Sequence, residues 1–163
     1  MSTIQKIGWP ISTADNSATI PALTQVFTPS ENFVLSGVVM GLYIYNAPVF
    51  TSISAELWSY NGTAAVKKIA DATNSYTTAA ISTALGSLNH GWLQVGFTFN
   101  DVTLRDGSSY AVGPRLVGYT GTEASHVAIA LGYPDPPNIT GITVSTIDAD
   151  NTPFEMSFVG AVL

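Results

Sequence analysis

VVMGLYIY, residues 38–45, decides the fold of this chain. Val38, Met40, Leu42 and Ile44 alternate with Val39, Gly41, Tyr43 and Tyr45, a period of two. Successive side chains point to opposite faces of a strand, so this segment reads as β-structure. Both alternating sets are largely apolar, which predicts a strand covered on both faces. The same period recurs along the chain. Ile53, Ala55 and Leu57 alternate with Ser54, Glu56 and Trp58, and Leu93, Val95, Phe97 and Phe99 with Gln94, Gly96, Thr98 and Asn100. Val127, Ile129 and Leu131 repeat it, as do Phe154, Met156 and Phe158. A one-residue slip would turn each apolar set outward, at roughly 1.5–3 kcal/mol per large side chain, so the pattern also fixes register.

Turn signals fall between these runs. Asn61-Gly62 predicts a hairpin, and Asp106-Gly107 separates the Phe97 strand from a run holding Tyr110, Val112, Leu116 and Val117. Pro134, Pro136 and Pro137 make 133–141 an extended loop, because proline removes ladder donors. Residues 148–153, DADNTP, form a polar turn. The segment 77–88 is rich in Thr and Ser, which predicts a single turn or irregular crossover rather than a full helix. These readings give an all-β protein, an antiparallel jelly-roll-like β-sandwich of about eight to ten strands. Residues 1–22, with Pro10, Pro21 and weak alternation, read as an extended N-terminal arm, and 23–163 as one sandwich domain.

Only 10% of the 163 residues are charged, against about a quarter in ordinary soluble domains, while 46% are apolar. Ser, Thr, Asn and Gly supply the polarity, and such a surface solvates without repelling a neighbour. A subunit covered by copies of itself or by a lattice fits this composition. The net charge is −6, and the five cations, Lys6, Lys67, Lys68, Arg105 and Arg115, include one adjacent pair. Counterion release from nucleic acid needs clustered cations, so neither nucleic acid nor an anionic membrane is an expected partner. With no cysteine, disulfide and thiol chemistry are excluded. The first residues lack the continuous apolar core of a secretion signal, and the apolar stretch 38–50 is interrupted and too short to span a bilayer.

Residues 25–42, QVFTPSENFVLSGVVMGL, resemble a module of tailed-bacteriophage virion proteins and some bacterial surface proteins. ISAELW at 53–58, GWLQVGFTF at 91–99 and LRDGSSYAV at 104–112 follow in the order of that family's strands, so the resemblance covers about 25–118. It implies a carbohydrate-binding-module-like jelly roll used as a capsid decoration, head-fibre or tail-appendage protein. The family supplies no catalytic residues to carry over. As a single domain without stalk or repeat, the chain is expected to be a small capsid-bound protein rather than a long fibre.

Residue by residue, chemistry finds little purchase. His90 sits in a turn and His126 on an outward strand phase, neither beside a Gly-x-Ser-x-Gly elbow. Glu31, Glu56, Glu123 and Glu155 read as solvated carboxylates rather than a glycosidase pair, and Asp148, Asp150 and Asn151 lack the glycine and distal glutamate of a calcium loop. No catalytic residue, metal ligand or cofactor is expected. Tyr43 with Tyr45, and Trp58 with Tyr60, share strand phases and would form an aromatic platform if their strands adjoin, for an oligomer contact or a glycan. Trp9 reads as an anchor in the arm and Trp92 as a core residue. The expected function is a decoration or cement protein on the outer surface of the phage head, made in the bacterial cytoplasm. It would bind the major capsid protein lattice and itself, as a trimer, through Ile4, Ile7, Trp9 and Ile11 of the arm and Tyr133, Pro134, Pro136 and Pro137 of the loop. The alternative is a tail or head-fibre adhesin, or carbohydrate-binding module, recognising a host surface glycan.

Overall fold

The computed structural model describes residues 4–10, 24–86, 88, 90–133, 142–145 and 156–163. Within them the period-two segments become ten strands: β1 (Ile4–Pro10), β2 (Gln25–Pro29), β3 (Phe33–Tyr45), β4 (Ser52–Tyr60), β5 (Ala65–Asp71), β6 (Gly91–Leu104), β7 (Ser109–Val117), β8 (His126–Tyr133), β9 (Ile142–Ser145) and β10 (Met156–Val162). They pair antiparallel in two five-stranded sheets, which makes the chain an all-β sandwich. The first sheet holds β1, β8, β3, β10 and β6, and the second runs β5-β4-β7-β2-β9.

The opening segment lies at the centre of the first sheet. β6 pairs with β3 from Phe33 to Ile44, which occupies one full edge of it. The other edge is therefore shared: β10 takes Phe33 to Met40 and β8 takes Leu42 to Tyr45. Val38, Met40, Leu42 and Ile44 are buried inward, packed with Ile53, Leu57, Phe97, Val112 and Ile129 in one core between the sheets. Phe27 of β2 and Phe158 of β10 bridge the sheets directly, with ring centroids 4.4 Å apart. Where β10 bulges, Gly160 is required by packing: a Cβ there would collide with the Val34 carbonyl oxygen and the Phe33 ring.

The segment 72–76 ties one side of the sandwich together. Ala72 N–H donates to Ala55 O (2.9 Å), and Tyr76 exchanges backbone bonds with Ile53, all on the second sheet. On the first sheet, Asn74 Nδ2 donates to Gly96 O (3.0 Å) and its Oδ1 accepts from Thr98 N–H (2.9 Å). The amide thus behaves as a one-residue strand against β6, and Tyr76 Oη adds a bond to Gly96 O (2.6 Å).

The chain then forms a two-turn helix, α1 (Thr78–Leu85), where a single turn at most was expected. Its ends are closed locally. Thr77 Oγ1 accepts from Ala80 N–H at the N-terminus, and Gly86 at φ 69° ends the helix with a bond to Thr83 O. Thr78 anchors it by accepting from Phe50 N–H (2.9 Å), and Ile81 enters the core. Capping and one buried side chain outweigh the Thr and Ser content. Of the N-terminal 22 residues, Ile4–Pro10 forms a strand paired with β8, at the edge of the first sheet among the described residues.

Candidate functional site

On the outward face of the first sheet, four aromatic rings stand in a row across three neighbouring strands. Register places Tyr43 opposite Trp92 of β6 and Tyr45 opposite His126 of β8. Ring centroids are 4.7 Å apart for Trp92 and Tyr43, 6.4 Å for Tyr43 and Tyr45, and 5.2 Å for Tyr45 and His126. Trp92 is 38% and Tyr45 40% exposed, so large aromatic area meets water here. His126 Nδ1 lies 2.9 Å from the Thr122 carbonyl oxygen, an acceptor, which assigns the proton to Nδ1 and holds the ring against Tyr45.

This row differs from the expected platform in two ways. β3 and β4 lie in different sheets, so Tyr43 and Tyr45 never adjoin Trp58 and Tyr60. Their companions are instead Trp92, which is exposed rather than core, and His126. The signal for Trp92 lay in its strand: with 93, 95, 97 and 99 directed inward, position 92 points out.

The other expected contact residues are partly placed. Ile4 and Ile7 pair in register with Tyr133 and Ala130, so the arm and the start of the proline loop meet along β1 and β8, with Trp9 on the same strand. Ile11, Pro134, Pro136 and Pro137 lie outside the described residues, as do Glu155, Asp148, Asp150 and Asn151.

The second sheet carries a different surface. Trp58 is buried with Val26 and Ala111 on the outward face, and Tyr60 and Ala65 pack against them. Trp58 Nε1–H has no hydrogen-bond partner among the described residues. Glu56, read as solvated, is 4% exposed and Arg115 8%. Arg115 Nε and Nη2 both donate to Glu56 Oε2, at 2.7 and 2.6 Å. Lys68 Nζ approaches Glu56 Oε1 at 3.4 Å and Asp71 at 3.1 Å. The Asp71 hydrogen bond, with the field of Glu56, raises the Lys68 pKa above its ordinary value. The outward strand phase of Glu56 holds, but an ion pair takes the place of water.

At the end of this sheet an open cleft of about 470 Å³ lies between the β4–β5 turn and the turn before β7. Ser59, Tyr60, Asn61, Gly107, Ser108 and Ser109 line it. Both rims are pinned: Asn61 Oδ1 accepts from Thr63 and Ala64 N–H, each 2.9 Å. Opposite, Gly107 N–H donates to Pro29 O (3.0 Å), Asp106 N–H to Asn32 Oδ1 (3.0 Å) and Arg105 N–H to Tyr110 Oη (2.9 Å).

Among the described residues no three His, Asp or Glu side chains gather as metal ligands, and no helix is long and apolar enough to cross a membrane. Comparison with family models, with curated proteins and with solved structures finds no match to this chain.

Proposed function

We propose that the chain is a non-enzymatic virion structural protein of a tailed phage, a decoration or cement subunit seated on the outside of the assembled head. The observation that carries this reading is the exposed row Trp92–Tyr43–Tyr45–His126 on the outward face of the first sheet. Tyr and Trp dominate the energetics of protein interfaces, and rings already braced against one another lose little side-chain entropy on docking. β1, with Ile4 opposite Tyr133, extends the same sheet, and among the described residues it pairs with β8 alone, so its other side is a place for a neighbouring strand to add. The low charge of the whole chain suits a surface meant to be covered. The resemblance of 25–118 to virion modules supplies the setting.

In this role the subunit bonds to neighbouring major capsid subunits and so resists the pressure of packaged DNA. A trimer suits the local threefold positions of a head. The test is co-sedimentation of the purified chain with emptied heads assembled from the major capsid protein of the same genome. Saturable binding that Trp92→Ala and Tyr45→Ala each weaken at least about tenfold is expected, since a central aromatic contributes on the order of 2 kcal/mol. Absence of saturable binding by the folded chain would overturn the reading.

A further inference from the structure

We infer that Asn61 is a site of covalent self-modification: the turn between β4 and β5 promotes loss of its side-chain amide through the Gly62 nitrogen, with water as the co-reactant. The site stands whether or not the chain coats a phage head. Such a reaction needs a nitrogen free to attack, a polarised carbonyl and an amide free to leave. The turn supplies all three.

Asn61 and Gly62 are both exposed. Gly62 N–H has no hydrogen-bond partner among the described residues. Gly62 holds φ 96°, and nothing lies within 4 Å of where a Cβ would stand, so this side of the residue is open. Its nitrogen and Asn61 Cγ are joined through three atoms, and attack closes a five-membered ring without a second molecule having to be captured. Asn61 Oδ1 accepts from Thr63 N–H and from Ala64 N–H, each at 2.9 Å. Those two donors draw charge from Cγ and hold the oxygen as it becomes an oxyanion. Asn61 Nδ2 has no partner among the described residues, so the leaving group faces water.

In the step itself the Gly62 N–H proton passes to hydroxide and the nitrogen bonds to Cγ. The Cγ–Nδ2 bond breaks, and Nδ2 takes a proton from water and departs as ammonia. Water then adds to one of the two carbonyls of the resulting succinimide and opens it to aspartate or isoaspartate. An aspartate keeps both N–H donors on its carboxylate. An isoaspartate lengthens the backbone by one methylene and draws Oδ1 into the main chain, away from Thr63 and Ala64. Either product places a carboxylate at the rim of a cleft that no charged side chain lines, on a chain already at −6. Asn74 is the contrast within the same fold. Its Nδ2 donates to Gly96 O (3.0 Å) and Tyr76 Oη (3.2 Å), and its Oδ1 accepts from Thr98 N–H, so its leaving nitrogen is tied down.

The test is to age the full chain in mildly alkaline buffer, folded and in guanidinium, and to follow each asparagine by tandem mass spectrometry. Isoaspartate is counted separately by enzymatic methylation. Asn61 should convert in the folded chain within about fivefold of its unfolded rate, because the turn reacts without global opening, while the fold slows Asn74 by more than that. Isoaspartate should be present, and Thr63 and Ala64 amides should exchange faster in that fraction. Inserting one glycine between Gly62 and Thr63 keeps the reacting pair but displaces the two donors from Oδ1, and should slow Asn61 about threefold in the folded chain. A larger slowing of Asn61 by the fold, conversion of Asn74 at its unfolded rate, an aged chain free of isoaspartate, or unchanged or faster conversion after the insertion would each overturn the inference.

Discussion

Arg115 and Glu56 are held together by two donors on one oxygen, Nε at 2.7 Å and Nη2 at 2.6 Å from Glu56 Oε2, with both side chains more than nine-tenths buried. Their strands are adjacent, and Ser54 of β4 pairs with Arg115 while Glu56 pairs with Gly113, so the two side chains meet diagonally. Removing one partner leaves the other charge buried. Arg115→Ala should therefore destabilise by about 3–5 kcal/mol, read as a lowered urea midpoint. Lys68→Ala, at the exposed end of the network, should cost less than about 1 kcal/mol. Similar losses from both would show that burial does not govern this pair.

Gly160 tests the attachment of β10. Gly160→Ala drives a methyl into the Val34 carbonyl and the Phe33 ring, and backbone cannot yield there without losing the bulge. We expect a loss above about 3 kcal/mol, with faster hydrogen exchange in β10 than in β4. Gly96→Ala is the control: nothing lies within 4 Å of a Cβ at that position, and stability should change by less than about 0.5 kcal/mol.

Asn74→Ala removes the side chain that pairs with both Gly96 and Thr98. Thr98 N–H of β6 then faces water or a foreign strand, while Gly96 O keeps its bond from Tyr76 Oη. At roughly 1 kcal/mol per bond the cost is about 2 kcal/mol. Light scattering should also show concentration-dependent self-association as that edge opens. A variant that stays monodisperse at full stability would remove this role from Asn74.

Alkaline pH should unfold the protein through two groups. Burial raises the Tyr119 pKa above its ordinary 10.0, although the bond from Val127 N–H (2.9 Å) pulls the other way. Lys68 is raised above 10.5 by Asp71 and Glu56. A group whose pKa is higher folded than unfolded contributes stability that is complete below its unfolded value and lost as pH rises through the folded one. Stability should thus be flat on these groups below about pH 9 and fall above about pH 10. Tyr119→Phe should flatten part of that fall in a denaturation series at stepped pH.

Much of the sandwich was legible because alternation is a local signal. Residues 38–45 and 93–99 each declare their inward face, and Asn61-Gly62 marks a real hairpin in which Gly62 takes φ 96°. What local signals omit is which strands are neighbours. Glu56 and Arg115 are 59 positions apart, and nothing in either segment announces the other. The aromatic row was half legible for the same reason: the phase of Tyr43 and Tyr45 is in the sequence, but their neighbours Trp92 and His126 follow from sheet order. The helix was a different kind of miss. Thr and Ser content argued against it, and what closes it, Thr77 at one end and Gly86 at the other, shows only in the structure.

The divided edge of β3 has a bearing on how the protein is made. β3 comes early in the order of the described strands, yet half of one side stays unbonded until β10, the tenth of them, has been made. Pairings that distant close slowly. During synthesis Phe33 to Met40 therefore present a long apolar ribbon with one open flank, the arrangement that recruits stray strands. Deleting or delaying 156–163 should convert a folding problem into an aggregation problem, and the yield of native protein should depend on how quickly those final residues are supplied.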